Sequence, residues 1–261
     1  MMNWLSKTVW LVLVTVLAVA GCEQEQKREQ EVDVSASRPP YITQAIEATG
    51  GLETWIGAKQ LEFDCVVAFY RQDGSFYLTE QHHEIVPWSN SIRISAKEPQ
   101  GKFIWEFSAD GMRVIEGTKK ADFLPIGLGA EDFAQAILDI TTTPVRFLEG
   151  QAEFIRGTSP VKVEGRWYYP IGRVEPDKPT SATIRPKLVF YQNRNSSLVD
   201  LLWFESIDKG TYFTVRGYNY HEVEKGGVVV PAKMEIFMTD IRGAMQHRLV
   251  KIDYHRLKST K

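Results

Sequence analysis

The sequence lacks a surplus of charge of either sign. It contains 31 lysine and arginine residues against 33 aspartate and glutamate residues, which gives a formal net charge of −2 at pH 7. Binding to nucleic acid or to an anionic membrane surface through charge requires a basic surplus. The composition therefore argues against a nucleic-acid partner. Internal repeats are also missing, so the sequence does not predict a solenoid or a propeller.

Motifs of the common enzyme classes are absent as well. There is no Gly-x-Ser-x-Gly elbow, no phosphate-binding glycine-rich loop and no His-Glu-x-x-His pattern. Such patterns position the nucleophiles, phosphates and zinc ligands of hydrolases and nucleotide-binding proteins. Without them, we predict a protein that is not an enzyme, has no catalytic residue and needs no cofactor.

His82 and Glu84 form the arrangement that comes closest to a catalytic site. Alternate residues of a strand share a face, so these two side chains are expected to point the same way. A zinc site needs three or four converging ligands, and the sequence shows no full set beside them. We expect solvated residues on an outer strand face and no metal site. A metal-dependent envelope hydrolase is the less favoured alternative.

The N-terminal segment has the composition of a secretory signal. Lys7 precedes the nearly all-aliphatic run Thr8–Val19, which is too short for a comfortable membrane-spanning helix. The sequence Val19-Ala20-Gly21-Cys22 resembles a bacterial lipobox, which implies cleavage before Cys22 and lipidation of that cysteine. We predict a signal peptide over residues 1–21 and attachment to the membrane through the lipid. An ordinary signal peptide with an incidental cysteine is the alternative.

Residues 22–40 are predicted to be the lipidated cysteine and a flexible linker. The linker is almost free of apolar side chains, so it cannot bury enough surface to offset the entropy of ordering. Glu23 stands where an aspartate often signals retention in the inner membrane, which favours the outer membrane, facing the periplasm. Lipidation of Cys22 leaves Cys65 without an intrachain partner, so we expect a small buried core residue there and no disulfide.

The remaining residues, 41–261, are predicted to form one domain. Apolar residues at helical spacing end at Gly50, and from Lys59 onward they alternate with polar residues, as in half-buried strands. Helical spacing returns at 130–140. The 7 tryptophan, 10 tyrosine and 13 phenylalanine residues also suit strands. The prediction is a mainly β (α+β) fold, a large antiparallel sheet with helices at its start and middle.

The sequence of these elements resembles a known superfamily. A predicted helix ends in residues 48–55, Ala-Thr-Gly-Gly-Leu-Glu-Thr-Trp, and leads into a long meander of strands. A second helix interrupts this meander. A strand containing Val-Pro-Ala-Lys at 230–233 then precedes a closing pair. This order is similar to that of the LolA/LolB lipoprotein carriers and their lipid-binding relatives. The resemblance implies an unclosed antiparallel β-barrel covered by a few helices, with a cavity for acyl chains. A lipid-anchored member resembles LolB more than LolA. The segment 157–187 has no counterpart in the superfamily.

The resemblance leads to a prediction of a hydrophobic ligand site inside the sheet. Inward apolar side chains that leave space are expected to bind a lipid or an acylated protein, with helix 130–140 as a lid hinged at Gly127-Leu128-Gly129. The same residues can instead pack as an ordinary core. A sensor or scaffold that binds an envelope protein is the alternative function. The predicted lining residues are Phe63, Phe69, Trp105, Phe107, Phe133, Ile137, Trp203, Met234 and Met238.

Overall fold

The computed structural model describes most of the chain from Arg38 onward. The described residues are 38–98, 101–117, 123–148, 153–174, 188–208, 210–224 and 227–260. The predicted signal peptide, Cys22 and most of the predicted linker lie outside these ranges. Within them, no helix has both the length and the apolar character needed to cross a membrane.

The elements follow the predicted order. The helices are α1 (Pro40–Glu47), α2 (Leu52–Gly57) and α3 (Ala130–Arg146), with a short 3₁₀ turn at Pro87–Ser89. The strands before α3 are β1 (Gln60–Tyr70), β2 (Phe76–Val86), β3 (Ser91–Glu98), β4 (Gly101–Ser108) and β5 (Gly111–Glu116). The strands after α3 are β6 (Glu153–Arg156), β7 (Val161–Val163), β8 (Arg166–Val174), β9 (Leu188–Asn193), β10 (Val199–Glu205), β11 (Tyr212–Glu222), β12 (Val229–Thr239) and β13 (Met245–Thr260).

All the described strands join one antiparallel sheet. Its order is β5-β4-β3-β2-β1-β13-β12-β11-β10-β9-β8-β6, and β7 also pairs with β8. Strand β5 forms one edge, while β6 and β7 form the other, and the described strands do not close the sheet on itself. The prediction of an unclosed antiparallel barrel with a few helices is confirmed.

The sheet curves around α3. This helix contacts β3, β4 and β5 on one side and β10, β11 and β12 on the other. Strand β1 shows why the inner face forms, since its inward residues are all apolar and less than 2% exposed. Fully burying one such large side chain contributes roughly 1.5–3 kcal/mol. These inward residues are Leu61, Phe63, Cys65, Val67 and Phe69.

Helix α1 begins and ends where its sequence dictates. Pro40 occupies the first turn, where its missing N–H has no helical partner to lose. Gly50 and Gly51 follow the helix with φ of 108° and 86°, a left-handed conformation that glycine adopts without a Cβ clash. A Cβ at Gly50 would lie 2.8 Å from the Gly227 carbonyl oxygen, so the turn also packs closely against the sheet.

Gly50→Ala is expected to destabilise the protein by more than Gly74→Ala. Both glycines have positive φ, and a left-handed alanine costs about 1–2 kcal/mol. A methyl group added at Gly74 would enter open space, whereas the same group at Gly50 would meet backbone. Urea unfolding followed by circular dichroism measures both variants. Equal losses would show that the close approach at Gly50 has no energetic weight.

Helix α3 is longer than the predicted 130–140. It continues to Arg146 with a bend at Thr142, whose backbone angles are φ −109° and ψ 18°. Pro144 has no N–H to donate to the preceding turn. The Thr142 and Thr143 hydroxyls donate to the carbonyls of Leu138 and Asp139, both at 2.7 Å. These bonds stabilise the bent last turns of the helix. The spacing of apolar residues did not predict that the helix continues beyond residue 140.

Segment 157–187, which the resemblance to the LolA/LolB superfamily does not cover, extends the sheet. Its described part contains β7 and β8, which form a hairpin, and β8 also pairs with β6 and β9. Glu164, in the turn of this hairpin, forms an ion pair with Arg216 of β11. The hairpin therefore reaches the outer face of the sheet and covers charged residues there.

Candidate functional site: the concave face of the sheet

The concave face and α3 bring most of the predicted lining residues together. Seven are buried in a single apolar core, and an eighth, Met238, is partly buried and packs against it. The structure thus places these residues where the resemblance implies a ligand site. Their role in binding stays a prediction. The seven are Phe63, Phe69, Trp105, Phe107, Phe133, Ile137 and Met234.

Trp203 departs from the prediction because it lies on the opposite face. Its partners across the sheet are Val189 and Thr214, whereas the neighbouring Leu202 faces the core. The indole stacks on Tyr212 with ring centroids 5.3 Å apart. Every residue of β10 is buried, and the run Leu201–Phe204 is entirely apolar. The sequence therefore does not show which of these residues face the core.

A cluster of aromatic rings covers the end of the concave face at which α3 begins. Phe123 is at its centre, 5.0 Å from Phe69, 5.5 Å from Tyr77 and 5.5 Å from Phe103, measured between ring centroids. Trp105 stacks at 6.1 Å. The sequence analysis missed Phe123 because it lies between β5 and α3, in neither a strand nor a helix.

A hydrogen-bonded contact holds the first turn of α3 to the sheet. The Ser206 hydroxyl donates to Asp132 Oδ2 at 2.6 Å, and the Ile207 N–H donates to Asp132 Oδ1 at 3.3 Å. Ser206 and Ile207 belong to the turn between β10 and β11. Asp132 also lies where the helix dipole favours a carboxylate. This contact fixes the helix end that follows the predicted hinge at Gly127–Gly129.

The described residues outline two spaces of very different size at the concave face. A gap between α1 and α3, lined by Ala45, Thr49, Thr141 and Pro144 among others, has a volume of about 10 Å³. That is at most enough for one water molecule. A groove of about 630 Å³ beside β2 to β5 is lined by charged residues and also by Ile92, Phe107 and Met112 of the apolar core. Beneath α3, the described apolar side chains of the concave face are buried against one another.

The inner face of β2 is polar, in contrast with that of β1. Gln81 Nε2 donates to Thr79 Oγ1 at 2.8 Å, and Gln81 Oε1 lies 2.9 Å from His83 Nε2. The other ring nitrogen of His83 lies 3.3 Å from the Tyr254 hydroxyl. All of these residues except Tyr254 are less than 4% exposed. Buried polar groups that satisfy one another in this way make the packing specific.

Cys65 and His83 meet inside this network without forming a reactive pair. Their Sγ and Nε2 atoms are 3.6 Å apart. Burial raises the pKa of the Cys65 thiol far above its usual range and lowers the pKa of His83 to about 3. Nucleophilic catalysis by cysteine requires the thiolate. Both groups are neutral at pH 7, so the pair supports packing and not covalent chemistry.

His83 is expected to make the protein less stable as the pH falls below 6.5. The unfolded chain binds a proton near pH 6.5, whereas burial prevents protonation of the folded state until about pH 3. The free energy of unfolding should fall by up to about 1.4 kcal/mol per pH unit in this window. Urea titrations between pH 5 and 7.5 measure the slope. His83→Gln should reduce the slope of the free energy of unfolding against pH. His255→Gln, a change at an exposed position on β13, should leave the slope unchanged. Equal slopes in wild type and His83→Gln would show that His83 does not cause the pH dependence.

His82 lies on the outer face with Glu84, as predicted. Its Nδ1 is 2.8 Å from Asp64 Oδ1, and its Nε2 is 3.6 Å from Glu84 Oε1. The hydrogen bond from His82 is the largest cause that lowers the pKa of Asp64, with Arg256 adding to it. Among the described residues, no group of three or more His, Cys, Asp or Glu side chains is arranged to hold a metal ion. The hydrolase alternative gains no support from this geometry.

Comparisons with known proteins place the fold. No family model matches the chain, and no curated protein sequence matches it. The solved structure of a LolA superfamily protein from Nitrosomonas europaea is similar at a TM-score of 0.54 and 12% identity, covering 87% of this chain and 95% of that one. A DUF1329 family protein from Desulfovibrio piger has a TM-score of 0.48 at 12% identity, covering 84% and 91%. An outer membrane lipoprotein-sorting protein domain from Vibrio parahaemolyticus has a TM-score of 0.47 at 9% identity, covering 84% and 93%. The protein therefore has a LolA-like fold.

Proposed function

We propose that the protein is a lipid-anchored protein of the cell envelope that binds an apolar ligand, such as the acyl chains of a lipid or of an acylated protein, between the concave face and α3. The observation that supports this most strongly is the concentration of large apolar side chains on one face that a single helix covers. The LolA superfamily fold agrees with it. The lipobox-like sequence at Cys22 supports the anchor and a location at the outer membrane, facing the periplasm.

Burial of the ligand's apolar surface would supply the affinity. Each buried methylene of an acyl chain contributes about 0.8 kcal/mol, so a long chain gains more than enough to compensate for the loss of protein contacts. Because the described apolar side chains beneath α3 are buried against one another, uptake between them requires these side chains or α3 to move. The Asp132 contact with Ser206 and Ile207 would open if the start of α3 swings away.

Native mass spectrometry of the chain from residue 23 onward, purified without detergent, tests the proposal. Solvent extraction of any bound molecule then identifies its class. A bound phospholipid, fatty acid or acylated peptide that exchanges with added lipid would support the proposal. A ligand-free protein that takes up no lipid from vesicles would contradict it.

Burial of the predicted lining residues in one core favours a second candidate function. A protein whose concave face is a permanent core could act as a scaffold or sensor that presents its outer surface to an envelope protein. The exposed apolar side chains of Ile155 and Trp167 near the β6–β7 edge would then be available for contact. Capture of a specific partner that does not depend on lipid, together with an empty protein in mass spectrometry, would favour this function.

A further inference from the structure

The side chain of Phe123 differs from the rest of the concave core. It is partly exposed, whereas Phe69, Phe103 and Trp105 beneath it are buried. Tyr77 is nearly parallel to it, with an interplanar angle of 10°. Phe123 and Tyr77 are therefore the partly exposed rings of an aromatic cluster whose other members are buried.

The strands beneath Phe123 hold their side chains in fixed positions, but Phe123 itself is on a loop. Tyr77 belongs to β2, Phe103 and Trp105 to β4, and Phe69 to β1, all within the paired sheet. Phe123 precedes a turn in which the Leu128 N–H donates to the Pro125 carbonyl at 3.0 Å. Gly127, with φ of 86°, follows in the same loop. A residue on a loop can move away from the core without breaking hydrogen bonds between strands. Moving a strand residue in the same way would break those bonds.

We infer that the four rings of Phe69, Tyr77, Phe103 and Trp105 form the socket for the apolar end of the ligand, and that Phe123 fills this socket when no ligand is bound. This inference rests on the proposed function. The ligand first displaces the Phe123 ring and then replaces its contacts. Phe133, whose ring lies 5.3 Å from that of Phe69, bounds the socket on its inner side, so the remainder of the ligand extends from the socket toward solvent.

The chemistry of the socket indicates the part of the ligand that it receives. All four side chains are aromatic and uncharged, so an ionised headgroup would lose its hydration there without a charged partner. An acyl chain has no such cost and packs against ring faces. The socket therefore receives the methyl end of the acyl chain, and the headgroup remains outside it.

Phe123→Ala is expected to tighten the binding of an acyl probe. A ligand that binds only the open form has an apparent Kd equal to its intrinsic Kd divided by the fraction of protein that is open. If the closed form predominates about 10 to 1, removing the ring lowers the Kd about tenfold. Titration with 11-(dansylamino)undecanoic acid, monitored by dansyl fluorescence, measures the Kd for the chain from residue 23 onward.

Phe147→Ala is the matched control. Phe147 follows α3 at its other end and also sits among aromatic rings, 5.0 Å from Phe154 and 5.1 Å from Phe190. The substitution removes the same atoms from a buried cluster far from the socket, so the Kd should stay within about twofold of wild type. Equal tightening in both variants would indicate general loosening of the core and would overturn the inference.

The remaining outcomes separate the inference from the proposed function. If wild type binds the probe and Phe123→Ala binds it equally or more weakly, the inference fails and the proposed function stands. If neither binds, both fail. Phe123→Leu is a milder change, because leucine keeps an apolar side chain at this position, and its circular dichroism spectrum should match that of wild type. Its Kd for the probe should fall between those of wild type and Phe123→Ala.

Discussion

Trp105→Ala is expected to lower the free energy of unfolding by about 3–5 kcal/mol, the usual cost of removing a large buried aromatic side chain. Trp105 is completely buried on β4. Its ring lies 4.5 Å from that of Phe103 and also stacks on Phe123. The strands on either side fix the surrounding backbone, so the cavity cannot collapse and the lost contacts are not recovered. Urea unfolding followed by far-ultraviolet circular dichroism measures the change without relying on tryptophan fluorescence.

Trp167→Ala provides the matched control for this prediction. Trp167 is 46% exposed on β8, with Lys162 over its ring. The same truncation at this surface position should change the free energy of unfolding by no more than about 0.5 kcal/mol. If Trp105→Ala proved as mild as Trp167→Ala, the concave face would have to be loosely packed, and the space beneath α3 would be larger than the structure indicates.

Glu235→Ala is expected to cost about 1.5–3 kcal/mol, because it removes the charged acceptor that Arg216 and Arg248 share, while Arg216 keeps its ion pair with Glu164. Glu235 is on the outer face of β12 but is only 5% exposed. Its carboxylate accepts hydrogen bonds from Arg216 at 2.5 Å and from Arg248 at 2.8 Å. The two guanidinium groups would repel each other once the carboxylate is gone. The midpoint of urea unfolding at pH 7 measures the loss.

Glu235→Gln distinguishes charge from shape at this position. The amide keeps the volume and one acceptor, so it should cost less than alanine but remain destabilising. Burial alone would raise the pKa of Glu235, yet the bonds from Arg216 and Arg248 outweigh burial and lower it. Its contribution to stability is therefore present above pH 4.5 and is lost as the pH falls below that value. A wild-type protein whose loss of stability between pH 5 and 3 equals that of Glu235→Gln would contradict this account.

The sequence predicts strands well where one face is apolar and the other polar. Strand β1 alternates regularly, and its predicted inward residues are buried. The first helix also ends just before Gly50 and Gly51, as predicted, since glycine adopts the positive φ of the following turn without a Cβ clash. For these elements local residue chemistry and the final environment agree.

The site itself is less visible in the sequence. Strand β2 has Thr79, Gln81 and His83 on its inner face, whereas Phe76 and Leu78 are both more than half exposed. Only the register of β2 with β1, which pairs His83 with Phe63, shows that this histidine faces the core. The alternation of β12 predicts that Glu235 is solvated, because the arginines that cover it are distant in sequence. These features depend on contacts between strands, which a single chain segment does not encode.

The sheet order has a consequence for how the chain acquires its structure. Strand β13 lies between β1 and β12, and its residue Thr260 pairs with Gln60. Strands β1–β5 and strands β6–β12 can each form as a meander of neighbours, but β13 alone joins them. Pairing across about two hundred residues has a large loop-closure cost and folds slowly. The chain therefore remains in two unjoined halves until β13 pairs with both of them. Until then, β1 and β12 each present an unpaired strand edge.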